Sequence, residues 1–252
     1  MTNMAKAERI DFLGVDFDVL TLEELMGCVR ARLADAPFGY VVTPNVDHLV
    51  QIHRQRDLLG EIYRDAVFTV CDSRILAALA RSAGLRLTTV PGSDFTARFL
   101  AEAIEPEDAV LLVGSSADQA EKLMSLYGLK HLSHYEAPMN LSRDAGARSK
   151  TAAFVIAHPA RYVFFAVGSP QQELIAHEVW RSGKARGTGF CIGASIDFLT
   201  GKAKRAPRLM QQLKLEWLHR LIKEPLRMWR RYLVDDIEIF LIYRRWRRQR
   251  RL

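Results

Sequence analysis

Several polar residues stand where apolar runs end, and their types are those of hydroxyl and phosphate chemistry. Asp72 follows the run Ala66 to Cys71 and comes directly before a helical pattern starting near Ser73. A carboxylate there could take a proton from a substrate hydroxyl. It could equally be a helix N-cap, because Asp and Ser both lead the preferences at that position. Thr43-Pro-Asn45 closes the run beginning at Gly39 and offers a hydroxyl and an amide to a polar ligand. A strand-end turn with a cap accounts for the same tripeptide. Gly114-Ser-Ser116 opens a helix after Ala109–Val113, so its backbone amides could hold a phosphate. Neither a Gly-x-Gly-x-x-Gly nor a Walker A pattern accompanies it. Gly168-Ser-Pro-Gln-Gln-Glu173 is denser, and Gln171, Gln172 and Glu173 suit a hydroxyl-rich ligand such as a sugar. Proline in a first helical turn is also plain architecture. His48, His53, His158, His177 and His219 show no metal-ligand spacing, and His131 and His134 fall within a predicted strand. All seven read as structural or surface residues.

The elements that must position these groups alternate. Buried strands are predicted at Gly39–Thr43, Ala66–Val70, Ala109–Val113, Tyr162–Val167 and Phe190–Ile192. Their apolar residues are continuous rather than alternating, as when both faces of a parallel sheet are covered. Helices are predicted from the capping box Thr21-Leu-Glu-Glu24 toward Ala34, and over Ser73–Ala83, Asp94–Ala103, Ala117–Tyr127, Arg143–Ala157 and Gln171–Arg181. This order implies an α/β fold: a Rossmann-like parallel sheet with flanking helices. Ligands in such folds bind beyond the carboxyl ends of the strands, where the polar residues above lie.

The 252 residues are 49% hydrophobic, 26% charged and 9% aromatic, which excludes a disordered, collagen-like or disulfide-scaffold chain. The net charge is +7, from 36 Lys and Arg against 29 Asp and Glu. The surplus is local. From Lys202 onward there are 16 basic and 5 acidic residues, a balance of +11 that leaves −4 on the preceding body. Two domains are therefore expected: a catalytic α/β domain over 1–205 and a basic helical appendage over 206–252. In the appendage Leu213, Trp217, Leu218, Leu221 and Ile222 mark one helical face. Arg220, Arg227 and Arg230 fall within an arc of about 80° on a straight helix, which Pro225 should break or kink. Such a tail seeks an anion: nucleic acid, a phosphorylated ligand or a membrane surface. Cys28, Cys71 and Cys191 have no metal spacing and an odd count, pointing to a reducing compartment. No signal peptide or transmembrane run is visible.

Read in order, the segments resemble the WecG/TagA/CpsF family of bacterial glycosyltransferases (glycosyltransferase family 26), from about Asp11 to Tyr232. The resemblance rests on Thr43-x-Asn45, Asp72, Pro91-Gly-Ser-Asp94 and Gly168-Ser-Pro-Gln-Gln-Glu173. It continues through Ile192-Gly-Ala-Ser-Ile-Asp197, Gly201-Lys-Ala-Lys-Arg-Ala-Pro207, and Glu216-Trp-Leu-His-Arg220 with Glu224-Pro-Leu-Arg227. It implies inverting transfer of a sugar from a UDP-sugar to a polyprenol-diphosphate-linked saccharide, with no metal and no cofactor beyond that co-substrate. The sugar would be of the N-acetylmannosamine type, its uronate, or glucose. Asp72 would be the general base, with Thr43 beside it. Asn45, Asp94, Gly114, Gln171, Gln172, Glu173 and Asp197 would bind substrate, Gln172 contacting donor hydroxyls. Arg220, Arg227 and Arg230 would meet the diphosphate as the appendage docks on the membrane. The chain departs from the family in reading Cys71-Asp72-Ser73-Arg74 where Ala-Asp-Gly is usual, and Thr88-Thr89 where an arginine is common.

The physical reading agrees with that chemistry. One carboxylate deprotonates the incoming hydroxyl while arginines stabilise the departing diphosphate by bidentate contacts. Trp217, Trp229, Tyr232 and Trp246 among the tail's cations suit a membrane interface, so the expected location is cytoplasmic, on the inner face of the plasma membrane. Two rival classes compete. A nucleic-acid-binding α/β protein would use the Arg-rich terminus but leave the strand-end residues unexplained, so no nucleic-acid partner is expected. A nicotinamide-dependent oxidoreductase lacks its dinucleotide fingerprint. A homo-oligomer stays open, because the aromatic face of the tail can pack on another subunit instead of lipid.

Overall fold

Valine and aromatic residues dominate the central strands, and the computed structural model buries them between two helical layers. It describes residues 8–203, 221–223, 225–230 and 235–250. An antiparallel hairpin, β1 (Arg9–Phe12) and β2 (Val15–Asp18), precedes α1 (Leu22–Arg30). Then follow β3 (Gly39–Val42), α2 (Val46–Arg54), α3 (Arg56–Arg64), β4 (Phe68–Thr69), α4 (Arg74–Ser82) and α5 (Gly92–Glu102). The second half contains β5 (Ala109–Gly114), α6 (Ala117–Tyr127), β6 (His131–Tyr135), α7 (Ala145–Ala157), β7 (Tyr162–Ala166), α8 (Gln171–Arg181) and β8 (Thr188–Cys191). Short α9 (Ser195–Leu199), α10 (Pro225–Arg230) and α11 (Glu238–Gln249) complete the described elements.

Six strands form one parallel sheet in the order β4-β3-β8-β7-β5-β6, the Rossmann-like arrangement expected. Every residue of β3 and β8 is buried, which is why their sequences show no polar alternation. Leu25, Phe95, Phe99, Leu123 and Phe190 fill the layer on one face. Leu49, Ile62, Phe165, Ile175 and Val179 fill the other. Thr21 and Glu24 form the expected capping box of α1.

The hairpin, α2 and α3 have no counterpart among the predicted elements. The hairpin turns on Leu13 and Gly14, both at positive φ (57° and 76°), the backbone of a two-residue hairpin turn. The tail also holds a finding. Helix α11 buries Ile239, Ile242 and Tyr243, and Trp246 packs edge-on against Phe12 of β1, with ring centroids 5.2 Å apart. The Tyr243 and Ser82 hydroxyls lie 2.6 Å apart, and Arg54 of α2 pairs with Asp235 and Glu238, both at 2.7 Å. The last helix thus shares the body's core. Residues 204–220, including the predicted face from Leu213 to Leu218 and Arg220, lie outside the described residues, as do the side chains of Arg227 and Arg230.

Candidate active site

Strand order decides which polar residues can meet. Along the carboxyl edge of the sheet, β4 is followed by Asp72, β3 by Thr43 and Asn45, and β8 by Gly193. Next come Gly168 to Glu173 after β7, and Gly114 to Ser116 at the end of β5. Sequence segments far apart are thereby set side by side.

Asp72 is held by backbone on two sides. Its N–H donates to the Pro44 carbonyl (3.0 Å), and the Cys71 carbonyl accepts the Val90 N–H (2.8 Å). The first stitches it to the end of β3 and the second to the segment entering α5. The capping job falls to its neighbour: Ser73 Oγ accepts the Leu76 N–H of α4 at 3.2 Å. Both readings of Asp72 stood open in the sequence, and the cap is now taken by Ser73.

Gly92, the first residue of α5, shows how close the groups come. A Cβ built on it would lie 2.8 Å from Thr43 Oγ1 and 3.5 Å from Asp72 Oδ2. Thr43 and Asp72 therefore converge over the N-terminus of α5, and the missing side chain leaves room for them. Asp94 is on the same first turn. Helix amides at that end favour negative charge, so a carboxylate beside it is electrostatically supported.

A second group links three loops. Asn45 is the N-cap of α2, accepting the His48 backbone N–H (3.4 Å), and its own backbone N–H reaches His48 Nδ1 (3.2 Å). His48 Nε2 lies 3.6 Å from Glu173 Oε1. The Gln172 amide donates to the same Oε1 (2.8 Å), and its carbonyl oxygen accepts the Gly193 N–H (2.8 Å). Gln172 and Glu173 are both buried, and these contacts are with protein groups; Gln171 is partly exposed and donates to the Val167 carbonyl (3.3 Å). His48, read from sequence as structural or surface, stands in the middle of this set. The signal that finds it is Asn-x-x-His at capping-box spacing.

Asp197 sits in a third cluster, at the β5 side. Gln119 donates to it (2.8 Å) and to Thr200 Oγ1 (3.0 Å), and Lys202 Nζ lies 3.6 Å from the carboxylate. Gly114 has φ +93°, and a Cβ there would meet Val167 Cγ1 at 2.7 Å and the Ala166 carbonyl oxygen at 2.9 Å. The next residue, Ser115, also takes positive φ (64°), so the turn into α6 is sharp and closely packed on β7. Gln119 and Lys202 carried no motif and were not singled out by sequence.

Burial sets the chemistry of the thiols. The Cys71 thiol is pushed up to about 12 by desolvation, and that of Cys191 well above its ordinary range. Both stay protonated and unreactive at neutral pH. Among the described residues no group of three His, Cys, Asp or Glu is arranged to hold a metal ion.

A parallel sheet with a carboxylate, a hydroxyl and amides at adjoining strand ends has the layout of a Rossmann-like α/β fold, whose ligands bind at the sheet's carboxyl edge. Residues 10–252 match the family model described as "Glycosyl transferase WecG/TagA/CpsF family", and the chain belongs to that family of glycosyltransferases. The match runs beyond Tyr232 to the last residue, so it takes in α11 as well.

Proposed function

We propose that this glycosyltransferase moves a sugar, with inversion, from a UDP-sugar to a hydroxyl of a polyprenol-diphosphate-linked saccharide, and that Asp72 is its general base. The observation that carries the reading is the convergence of Asp72 Oδ2 and Thr43 Oγ1 on Gly92 at the sheet's carboxyl edge. Asp72 accepts the acceptor proton as the new glycosidic bond forms, while the UDP diphosphate leaves from the opposite face of the sugar. Thr43, Asn45, Asp94 and Gln171 orient the sugars. The β5–α6 turn at Gly114 and the Asp197 cluster take the nucleotide side.

The departing diphosphate gains charge, and arginines suit it because each offers a planar pair of donors. Arg220, Arg227 and Arg230 take that role in this reading, on their spacing along the sequence. No helix among the described residues is long and apolar enough to cross a membrane. Membrane contact would therefore be peripheral, on the cytoplasmic face where nucleotide sugars are made. In support, Leu226 and Trp229 are exposed on α10, and Phe240 and Leu241 are exposed on α11, the helix that also carries exposed Arg244, Arg245 and Arg248.

The test is a panel of UDP-sugars with a short-chain polyprenol-diphosphate-sugar acceptor, run on wild type and Asp72→Asn. One donor should be consumed, and the variant should lose about 100-fold or more in turnover with unchanged thermal unfolding. Unchanged turnover in the variant removes Asp72 from the base role.

A further inference from the structure

We infer that His48 is a positioning residue for the transfer reaction, its imidazolium bridging Asn45 and Glu173 and thereby fixing the loops after β3, β7 and β8 against one another. The inference rests on the glycosyl-transfer reading above for what those loops do, but its structural part stands without it.

The ring's contacts set its charge. His48 Nδ1 lies 2.8 Å from Asn45 Oδ1, and that oxygen already faces the His48 backbone N–H as the helix cap. An amide oxygen has no proton to give, and two lone pairs at that distance repel. The proton must be on Nδ1. The Asn45 backbone N–H also approaches Nδ1, at 3.2 Å, a bond the ring accepts only when that nitrogen is bare. The two contacts thus mark two protonation states of Nδ1, and the shorter requires the proton there.

Glu173 supplies the reason for a second proton, on Nε2. Its carboxyl is 1% exposed, one oxygen takes the Gln172 amide, and Oε2 is buried with no hydrogen-bond partner. A carboxylate so placed is stabilised by a positive charge close beside it. Among the described residues, the other titratable groups around it bring no positive charge. Tyr63 from α3, Tyr40 from β3 and Cys191 from β8 stay neutral because burial raises all three. Asp47, on the helix of His48 itself, is acidic and takes the Gln51 amide at 2.8 Å. Among the described residues His48 is the cationic partner within ion-pair distance of Glu173.

The bridge then continues through Gln172 to the Gly193 amide, across the adjacent strands β3, β8 and β7. One ring holds Asn45 and, at two removes, the loop after β8. Loss of the charge should loosen all three loops together while leaving α2 capped.

The experiment uses the full chain labelled with ¹⁵N-histidine. At pH 7 the His48 ring nitrogens should both show the protonated, imidazolium shifts, and Glu173→Gln should turn them to the neutral pattern. His48→Gln supplies a capping-box amide to Asn45 but no charge. It should keep the wild-type unfolding temperature within a few degrees, speed exchange of the Gly193 amide about tenfold, and raise the donor KM about tenfold with UDP-glucose or UDP-N-acetylmannosamine as probe. The acceptor KM should stay put, a split that general loosening of the fold would not give. A neutral His48 ring in the wild type at pH 7 overturns the proposal, as does a His48→Gln protein with wild-type donor KM and Gly193 exchange. Should Asp72→Asn keep full turnover, the transfer reading falls instead, and the ring shifts still decide the bridge.

Discussion

At the scale of single residues the site is defined by what is absent at Gly92. Its missing side chain lets a threonine hydroxyl and a carboxylate share one spot above a helix N-terminus. Gly92→Ala places a methyl 2.8 Å from Thr43 Oγ1, closer than atoms tolerate. Thr43 can escape by rotating, which costs the fold only about 1 kcal/mol but moves the hydroxyl off its mark. Activity should fall at least tenfold while the unfolding temperature drops by only a few degrees; equal activity would show that Thr43 Oγ1 needs no fixed place. Buried acids give a second expectation. Burial makes Tyr40, Tyr63, Cys71 and Cys191 all titrate higher in the folded chain than a phenol or thiol ordinarily does. Their neutral forms are favoured by folding, so their contribution is whole below pH 9 and is lost as the unfolded chain alone ionises. Urea midpoints should be level from pH 7 to 8.5 and fall steadily between about pH 9 and 12; a flat profile across that window would contradict the burial of these groups.

At the scale of elements, the sequence shows most of the sheet and less of what surrounds it. Five strands were legible because residues such as Val110, Leu111, Leu112 and Val113 are buried on both faces and so form unbroken apolar runs. The hairpin was not, since Leu13 in a left-handed turn gives none of the usual Asn-Gly or Asp-Gly signal. Helices α2 and α3 do carry apolar positions at helical spacing, Val46, Leu49 and Val50 in one and Leu59, Ile62 and Tyr63 in the other, but the polar run from His53 to Asp57 interrupts the stripe where they meet at Gln55. The candidate site follows the same division. Asp72, Thr43 and Asn45 are visible as strand-end polar residues, whereas the His48–Glu173 pair depends on which strands are adjacent. The caps separate two roles that sequence position left merged. Ser73→Ala removes the hydroxyl that accepts the Leu76 N–H and should cost about 1 kcal/mol of stability. Turnover should change far less than in Asp72→Asn. Were Ser73→Ala as inactive as Asp72→Asn with normal stability, the assignment of cap and base to different residues would fail.

At the scale of the whole molecule, the charge split between body and tail meets a helix with two different faces. Ile239, Ile242 and Tyr243 of α11 point into the core, while Phe240 and Leu241 stand about half exposed, at 48% and 51%. Arg250, itself about half exposed, pairs with Asp11 at 2.7 Å and stacks 4.5 Å over the Trp246 ring, and Arg244, Arg245 and Arg248 are exposed on the same helix. One face is therefore part of the fold, and the other is available to an anionic, partly apolar surface. The two should separate by mutation. Trp246→Ala takes an indole off Phe12 and should lower stability by about 2 kcal/mol, whether or not lipid is present. Phe240→Ser with Leu241→Ser should leave the unfolding temperature within a few degrees but weaken co-sedimentation with phosphatidylglycerol vesicles about tenfold or more, because each side chain gives up about 1 to 2 kcal/mol of apolar transfer. Binding of the wild type should also weaken as salt rises, since exposed arginines at a charged surface are screened over about 8 to 10 Å. If the double variant binds vesicles as the wild type does, the membrane contact lies elsewhere and the exposed face of α11 belongs to some other partner, such as a second subunit. A loss of binding with the fold intact would mean that the final helix anchors the body through one face while its other face holds it on an anionic surface, as the proposed lipid-linked acceptor requires.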